Sequence, residues 1–128
     1  MQNWEVEGIS SGGNPVVEKS FDFAKRVVLF YNKSAENKYD KPISKQFLRS
    51  GTSIGANIAE AQRAQSVGDF HAKMNISLKE ASESEYWLRL LHETGIMDTP
   101  TFNDLHPRCE ELIRILVSIV KNSSQSRI

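Results

Sequence analysis

The side chains able to do chemistry in this 128-residue chain are one cysteine, three histidines and a set of helix-spaced glutamates. Cys109 falls between Leu105 and Leu112 at helical spacing. A thiol on an apolar stripe with no adjacent base is ordinarily an inert core residue. His106, beside Pro107, is the nearest base and makes a weak nucleophile pair. Di-metal chemistry in a helical bundle needs Glu-x-x-His on facing helices. Here Glu60 meets Arg63, Glu80 meets Glu83 and Glu93 meets Ile96 at that step. His92-Glu93-Thr94-Gly95-Ile96 lacks the second histidine of the zinc motif HExxH. His71, His92 and His106 are therefore expected to be surface or partly buried side chains. No catalytic residue, no metal ligand and no cofactor is expected. Glu80, Glu83 and Glu85 could be read as paired carboxylates, but nothing in the sequence implies a pocket around them. A solvated helix face, or an anchor for a partly buried Asn57, is the better use.

Gly51-Thr52-Ser53-Ile54-Gly55 places two glycines four apart. A phosphate loop would require Gly-Lys-Ser/Thr at its end, whereas Gly55 is followed by Ala56 and Asn57. A dinucleotide fingerprint would require a preceding strand and a third glycine. Each glycine inside a helix sacrifices about 1 kcal/mol relative to alanine, so close helix–helix approach is the expected compensation. Tyr86 or Trp87 of the third helix is the expected filler of that groove. Asn57, between Ile54 and Ile58, is expected either to sit at the groove edge or to need a buried partner.

The elements that must position these residues are four helices. Asn14-Pro15 has the form of an N-cap followed by a first-turn proline. Val17, Phe21, Ala24, Val28, Tyr31 and Ala35 then recur at helical steps. Pro42 opens a second helix, carried by Ile43, Phe47, Ile54, Ile58 and Ala61 to about residue 65. Ser66-Val67-Gly68-Asp69 resembles a capping box. The third stripe is Phe70, Met74, Leu78, Ala81, Leu88 and Leu91, stopped by Gly95. Thr99-Pro100 opens the fourth, with Phe102, Leu105, Cys109, Leu112, Leu116 and Val120; Pro107 is expected to kink or split it. Residues 1–14 are expected to form a disordered leader, 15–122 an all-α antiparallel up-down four-helix bundle, and 123–128 a frayed tail.

Composition agrees with a small folded domain: 39% hydrophobic, 25% charged and four prolines. The lone cysteine excludes an internal disulfide framework and fits a reducing compartment. The first residues have neither a basic segment nor an apolar core, and no run approaches the ~18 apolar residues of a membrane span. A cytoplasmic location without membrane contact is expected. Sixteen basic residues balance sixteen acidic ones, but unevenly. Residues 19–63 hold nine cations against four acids, with the acids in excess on either side. Lys38, Lys41, Lys45, Arg49 and Arg63 are the candidate nucleic-acid-binding set, contacting phosphates electrostatically. Gly51, Gly55, Asn57, Tyr86 and Trp87 are the candidate packing and oligomer residues.

The run Lys45-Gln46-Phe47-Leu48-Arg49-Ser50-Gly51-Thr52-Ser53-Ile54-Gly55-Ala56-Asn57-Ile58 resembles the signature of the four-helix-bundle family encoded in 23S rRNA intervening sequences. The likeness continues through Glu60–Ser66, Asp69-Phe70, Leu78–Ala81 and Glu85–Leu88, and covers roughly residues 17–121. One departure is Ala59, where many relatives of this subgroup carry arginine. The resemblance implies a bundle that assembles as a homopentameric ring, without enzyme activity. A related branch, the accessory variability protein of diversity-generating retroelements, binds nucleic acid and a reverse transcriptase through a basic surface. The expected function is a non-enzymatic oligomeric binding or scaffold protein, taking RNA or single-stranded DNA on its basic face. The alternative is an accessory subunit that docks a protein partner without binding nucleic acid.

Overall fold

A computed structural model describes residues 14–35 and 42–125. All four expected helices are present: α1 (Pro15–Ala35), α2 (Pro42–Ala61), α3 (Val67–Glu93) and α4 (Thr99–Gln125). No strand occurs among the described residues. The ends are set by local chemistry. Asn14 Oδ1 accepts from the Val16 amide at 3.1 Å, and Pro15 occupies the first turn, where its missing N–H has no intrahelical partner to lose. Ser66 is extended (φ −157°, ψ 165°) and its Oγ accepts from Asp69 N at 3.0 Å, while the Asp69 carboxylate reaches back to the Gln65 amide. Gly95, at φ 82°, closes α3 in a Schellman arrangement, with Gly95 N donating to His92 O and Ile96 N to Leu91 O. The Asp98 carboxylate caps α4 by accepting from Thr101 N at 2.8 Å; the bonds from Thr101 hold its pKa below the ordinary value.

The second helix ends at Ala61 and not near residue 65. Gln62 N is shared between Ile58 O and Ala59 O, and Arg63 and Ala64 then donate to carbonyls three residues back. This tightened turn releases the chain so that Ser66 can take its extended cap conformation. Pro107 neither splits nor ends α4. It lies exposed like Asn103, whose carbonyl loses an intrahelical donor but faces water. α4 also outlasts its expected end: Ser123 is buried and helical to Gln125, while residues 126–128 lie outside the described residues, as do residues 1–13 of the expected leader.

α1 packs against α2 and α4, and α3 packs against the same two helices from across the core. The core is filled by Phe23, Val27, Phe47, Ile54, Ile58, Met74, Leu88, Leu91, Met97, Leu105, Leu112 and Leu116. Phe47 meets Phe23 and Phe30 edge to face at centroid distances of 6.4 and 6.0 Å. The stripes expected for α2, α3 and α4 are the buried ones in their main positions. The stripe expected for α1 is not. The buried face is Val16, Ser20, Phe23, Val27 and Ser34, whereas Phe21 and Val28 are exposed and Val17, Ala24 and Tyr31 only half-buried. Two adjoining stripes of α1 are both apolar, and the interior takes the one containing serines. Ser20 is tolerated there because its Oγ donates to Val17 O within its own helix. Serine recurs at the α2–α3 contact, where Ser50 and Ser84 hydroxyls meet at 2.8 Å and Ser77 Oγ donates to Ile54 O.

Candidate functional site

Side-chain density of interactions is greatest where α2 meets α3. Arg49 Nη1 donates to both Glu80 oxygens, at 3.1 and 3.2 Å, and Nη2 donates to Glu83. Glu83 Oε2 also accepts from Trp87 Nε1 at 2.8 Å. The Trp87 N–H first, and the guanidinium after it, hold the Glu83 carboxyl below its usual pKa; bonding to Glu83 raises that of Arg49. A planar fork spanning two carboxylates is what arginine does and lysine cannot. Glu80 and Glu83 thus anchor Arg49 and not Asn57, whose Nδ2 donates to Ser53 O one turn back.

The expected phosphate-binding set is not gathered into one free patch. Arg49 is committed to its two carboxylates. Lys45 and Arg63 are exposed, at the start of α2 and in the turn after it. Lys38 and Lys41 lie outside the described residues. Ala59 is exposed.

The glycines serve close approach, but toward α1 and not toward Tyr86 or Trp87. A Cβ on Gly51 would stand 2.9 and 3.0 Å from the two Val27 methyls. One on Gly55 would stand 3.2 Å from the backbone oxygen of Ser20. Tyr86 and Trp87 instead pair with each other, edge to face at 5.1 Å; Tyr86 is exposed and Trp87 half-buried against the core.

Two further clusters join pairs spaced four apart on one helix (Asp22/Arg26, Asp104/Arg108, Phe102/His106) across to a second helix, and that cross-helix pairing had no signal in sequence spacing. Between α1 and α4, Arg26 bonds Asp22 and Asp104 while Arg108 bonds Asp104 and Asp22. With Lys19–Glu111 at 3.3 Å these pairs border a shallow cavity of about 260 Å³ lined by Glu18, Lys19, Asp22, Arg108 and Glu111. The bond from Arg26 is the main reason the Asp22 carboxyl sits below its usual pKa. At the α3–α4 end, Phe102 is stacked between His92 and His106 at 4.2 and 4.7 Å, and His106 Nε2 lies 2.9 Å from Glu85. Among the described residues no group of three or more His, Cys, Asp or Glu is placed to hold a metal ion. No helix among them is long and apolar enough to cross a membrane.

The chain matches the 23S rRNA-intervening sequence protein family over residues 13–118. It belongs to that family. Its fold is similar to a solved structure of a protein with unknown function from the S23 ribosomal protein family of Bacteroides thetaiotaomicron. The two are 46% identical, with a TM-score of 0.79 over 83% of this chain and 98% of the other. No curated protein matches it.

In this 23S rRNA-intervening sequence protein, Cys109 has the setting of a structural thiol. It is fully buried, its Sγ lies 3.3 Å from Ala81 O, and burial pushes its pKa up to about 12. At pH 8 the thiolate needed for attack is scarce and inaccessible. Reaction with an aromatic disulfide reagent is therefore expected to proceed only at the rate of unfolding, and to become immediate in denaturant. Rapid stoichiometric labelling of the native protein would contradict this placement.

Proposed function

We propose that this chain is a non-enzymatic cytoplasmic scaffold that works as a homo-oligomer and docks a protein partner. Each subunit is an antiparallel up-down four-helix bundle, and the assembly is a ring, pentameric as the family resemblance implies. The order of contacts supports the antiparallel arrangement: Lys19, Asp22 and Arg26 on α1 meet Glu111, Arg108 and Asp104 on α4, and Arg49 and Glu60 on α2 meet Glu80 and Lys73 on α3.

The observation that carries the assembly is Tyr86, 57% exposed beside half-buried Trp87 and Leu90 on α3. Large aromatic groups held half in water are the usual material of interfaces. The settings of Cys109 and the histidines support a non-enzymatic role. A protein partner is favoured over nucleic acid because Arg49 is spent on Glu80 and Glu83, and because Ala59 leaves an exposed position uncharged.

Sedimentation equilibrium at micromolar concentration is expected to give several times the 14.5 kDa chain mass. A clean monomer would overturn the scaffold. Fluorescence anisotropy with a labelled RNA is expected to stay flat even at low salt. Salt-sensitive binding that Lys45→Glu with Arg63→Glu abolishes would replace partner docking by electrostatic nucleic-acid binding, with log affinity falling linearly in log salt.

A further inference from the structure

The exposed large apolar side chains among the described residues are densest on α1. Phe21 (71% exposed), Val28 (38%) and Leu29 (60%) lie close together there, whereas Val67, Ile76 and Tyr86 are spread along α3 and Val117 lies on α4. The contacts of α1 fix where these groups point. Val27 meets Gly51 and Ser20 meets Gly55, while Lys19 and Arg26, one position earlier in each case, pair with α4. Phe21 and Val28, one position later, therefore lie on the flank turned away from α4. On α2, Ser50 meets Ser84 of α3, so Thr52 and Ala56, which follow the two glycines, lie on the flank turned away from α3. The outer side of the α1–α2 contact thus presents Phe21 and Val28 beside Thr52 and Ala56, with Leu29 beyond them. Val17, on the same flank, is half-buried against the core and does not add to this surface.

We propose that this surface is the seat of the chain's own N-terminal segment, with Trp4, Val6 and Ile9 laid on Phe21, Val28 and Leu29. The residues ahead of α1 carry large apolar groups of their own, and they lie outside the family match, which begins at residue 13. Reach selects them as the occupant. Phe21 and Val28 stand about 10 and 21 Å past Asn14 along a helix that rises 1.5 Å per residue. The chain from Trp4 to Asn14 spans up to about 33 Å when extended, so on reversing at Gly12-Gly13 it passes Val28 with length to spare. Glycine takes either sign of φ, which suits that reversal. The tether supplies the rest of the affinity. A segment attached this close is present at an effective concentration in the mM range, so a few apolar side chains suffice where a separate molecule would need a full-sized interface. Tyr86 plays no part in this seat, which stands whether or not the chain self-assembles.

Fluorine NMR of the full chain labelled with fluorotryptophan tests the proposal. The chain has two tryptophans, Trp4 and Trp87, and Trp87→Phe assigns their signals. The Trp4 signal is expected to stand apart from that of a synthetic peptide of residues 1–13 carrying the same label, and not to move on dilution. Phe21→Ser with Val28→Ser is expected to return it to the peptide position, with the Trp87 signal and the circular dichroism spectrum unchanged. A Trp4 signal at the peptide position in the wild-type chain would overturn the proposal. So would a displaced signal that the double variant leaves in place, which would put Trp4 elsewhere on the subunit. A displaced signal that returns to the peptide position on dilution would put the segment on a second copy and overturn the seat within one chain. A second measurement leaves α1 untouched. Trp4→Ser with Ile9→Ser should uncover Phe21, Val28 and Leu29 and raise the fluorescence of an apolar dye several-fold, whereas dye binding equal to that of the wild type would count against the seat.

Discussion

Gly51→Leu is expected to lower the melting temperature by roughly 12–24 °C. Leucine would raise helix propensity by most of the ~1 kcal/mol that glycine forfeits. The site has no room for the first carbon of the new side chain, since Val27 methyls already lie 2.9 and 3.0 Å from where it would go. Valine is stiff at χ1 and Val27 is itself fully buried, so it cannot swing clear. Forcing α1 and α2 apart by a whole leucine belongs at the upper end of the overpacking range, about 3 kcal/mol. At ~4–8 °C per kcal/mol for a domain near this size, that gives the stated shift. Gly55→Leu should behave similarly, because the obstacle is the Ser20 backbone, which yields less readily than a side chain. Gly68→Ala is the control: its new Cβ meets only Ser66 Oγ at 3.8 Å, an ordinary contact, so the melting temperature should hold or rise slightly. If both leucine variants melt above wild type, the glycines do not serve helix approach and the segment must be re-examined as a ligand site.

The same contact shows what the sequence could and could not reveal. Glycines four apart inside an apolar helical period announce a close approach, because nothing else offsets their loss of helix stability. They do not say which helix approaches, and the filler proved to be Val27 and Ser20 on α1. The helix count and most ends were legible for local reasons: Asn14, Ser66 and Gly95 act through bonds to residues a few positions away. The inward face of α1 was not legible. Its buried stripe includes Ser20 and Ser34, which a hydropathy period counts against burial, while the competing stripe offers Phe21 and Val28. Hydroxyls that bond carbonyls within their own helix can be buried at little cost, so polarity alone misplaces them. The mismatch is informative, because an apolar stripe that the subunit does not bury is a surface available to another molecule. Arg49 was misread for a different reason. Its partners Glu80 and Glu83 are more than thirty positions away, and pairing across two helices leaves no mark in local charge patterning.

Arg49→Glu is expected to be the most damaging single charge change on the surface of the subunit. It removes the fork that joins Glu80 and Glu83 and puts a third carboxylate beside them. Breaking a fully buried pair costs about 3–5 kcal/mol. Arg49 is 47% exposed and Glu80 19%, so solvent screening reduces the loss of the pair to about 1–2 kcal/mol. Like-charge repulsion adds to that loss, for a total of about 2–3 kcal/mol near pH 7 and a fall of roughly 8–24 °C in melting temperature. Arg49→Lys, which keeps the charge but not the two-carboxylate fork, should lie between the variant and wild type. The pH dependence separates electrostatics from lost packing. In the wild type the Glu83 carboxyl titrates below 4.5, so its contribution is complete above that pH and is lost as pH falls through the lowered folded value. In Arg49→Glu the same protonation relieves repulsion. The difference between the two proteins should therefore shrink as melts are taken from pH 7 toward pH 3.5. A difference that stays constant would assign the effect to the arginine's aliphatic packing. Arg49→Glu melting with the wild type at pH 7 would mean that Glu80 and Glu83 do not hold the guanidinium in solution. The side chain would then be free to contact a polyanion, and the chief structural argument against nucleic-acid binding by this subunit would be gone.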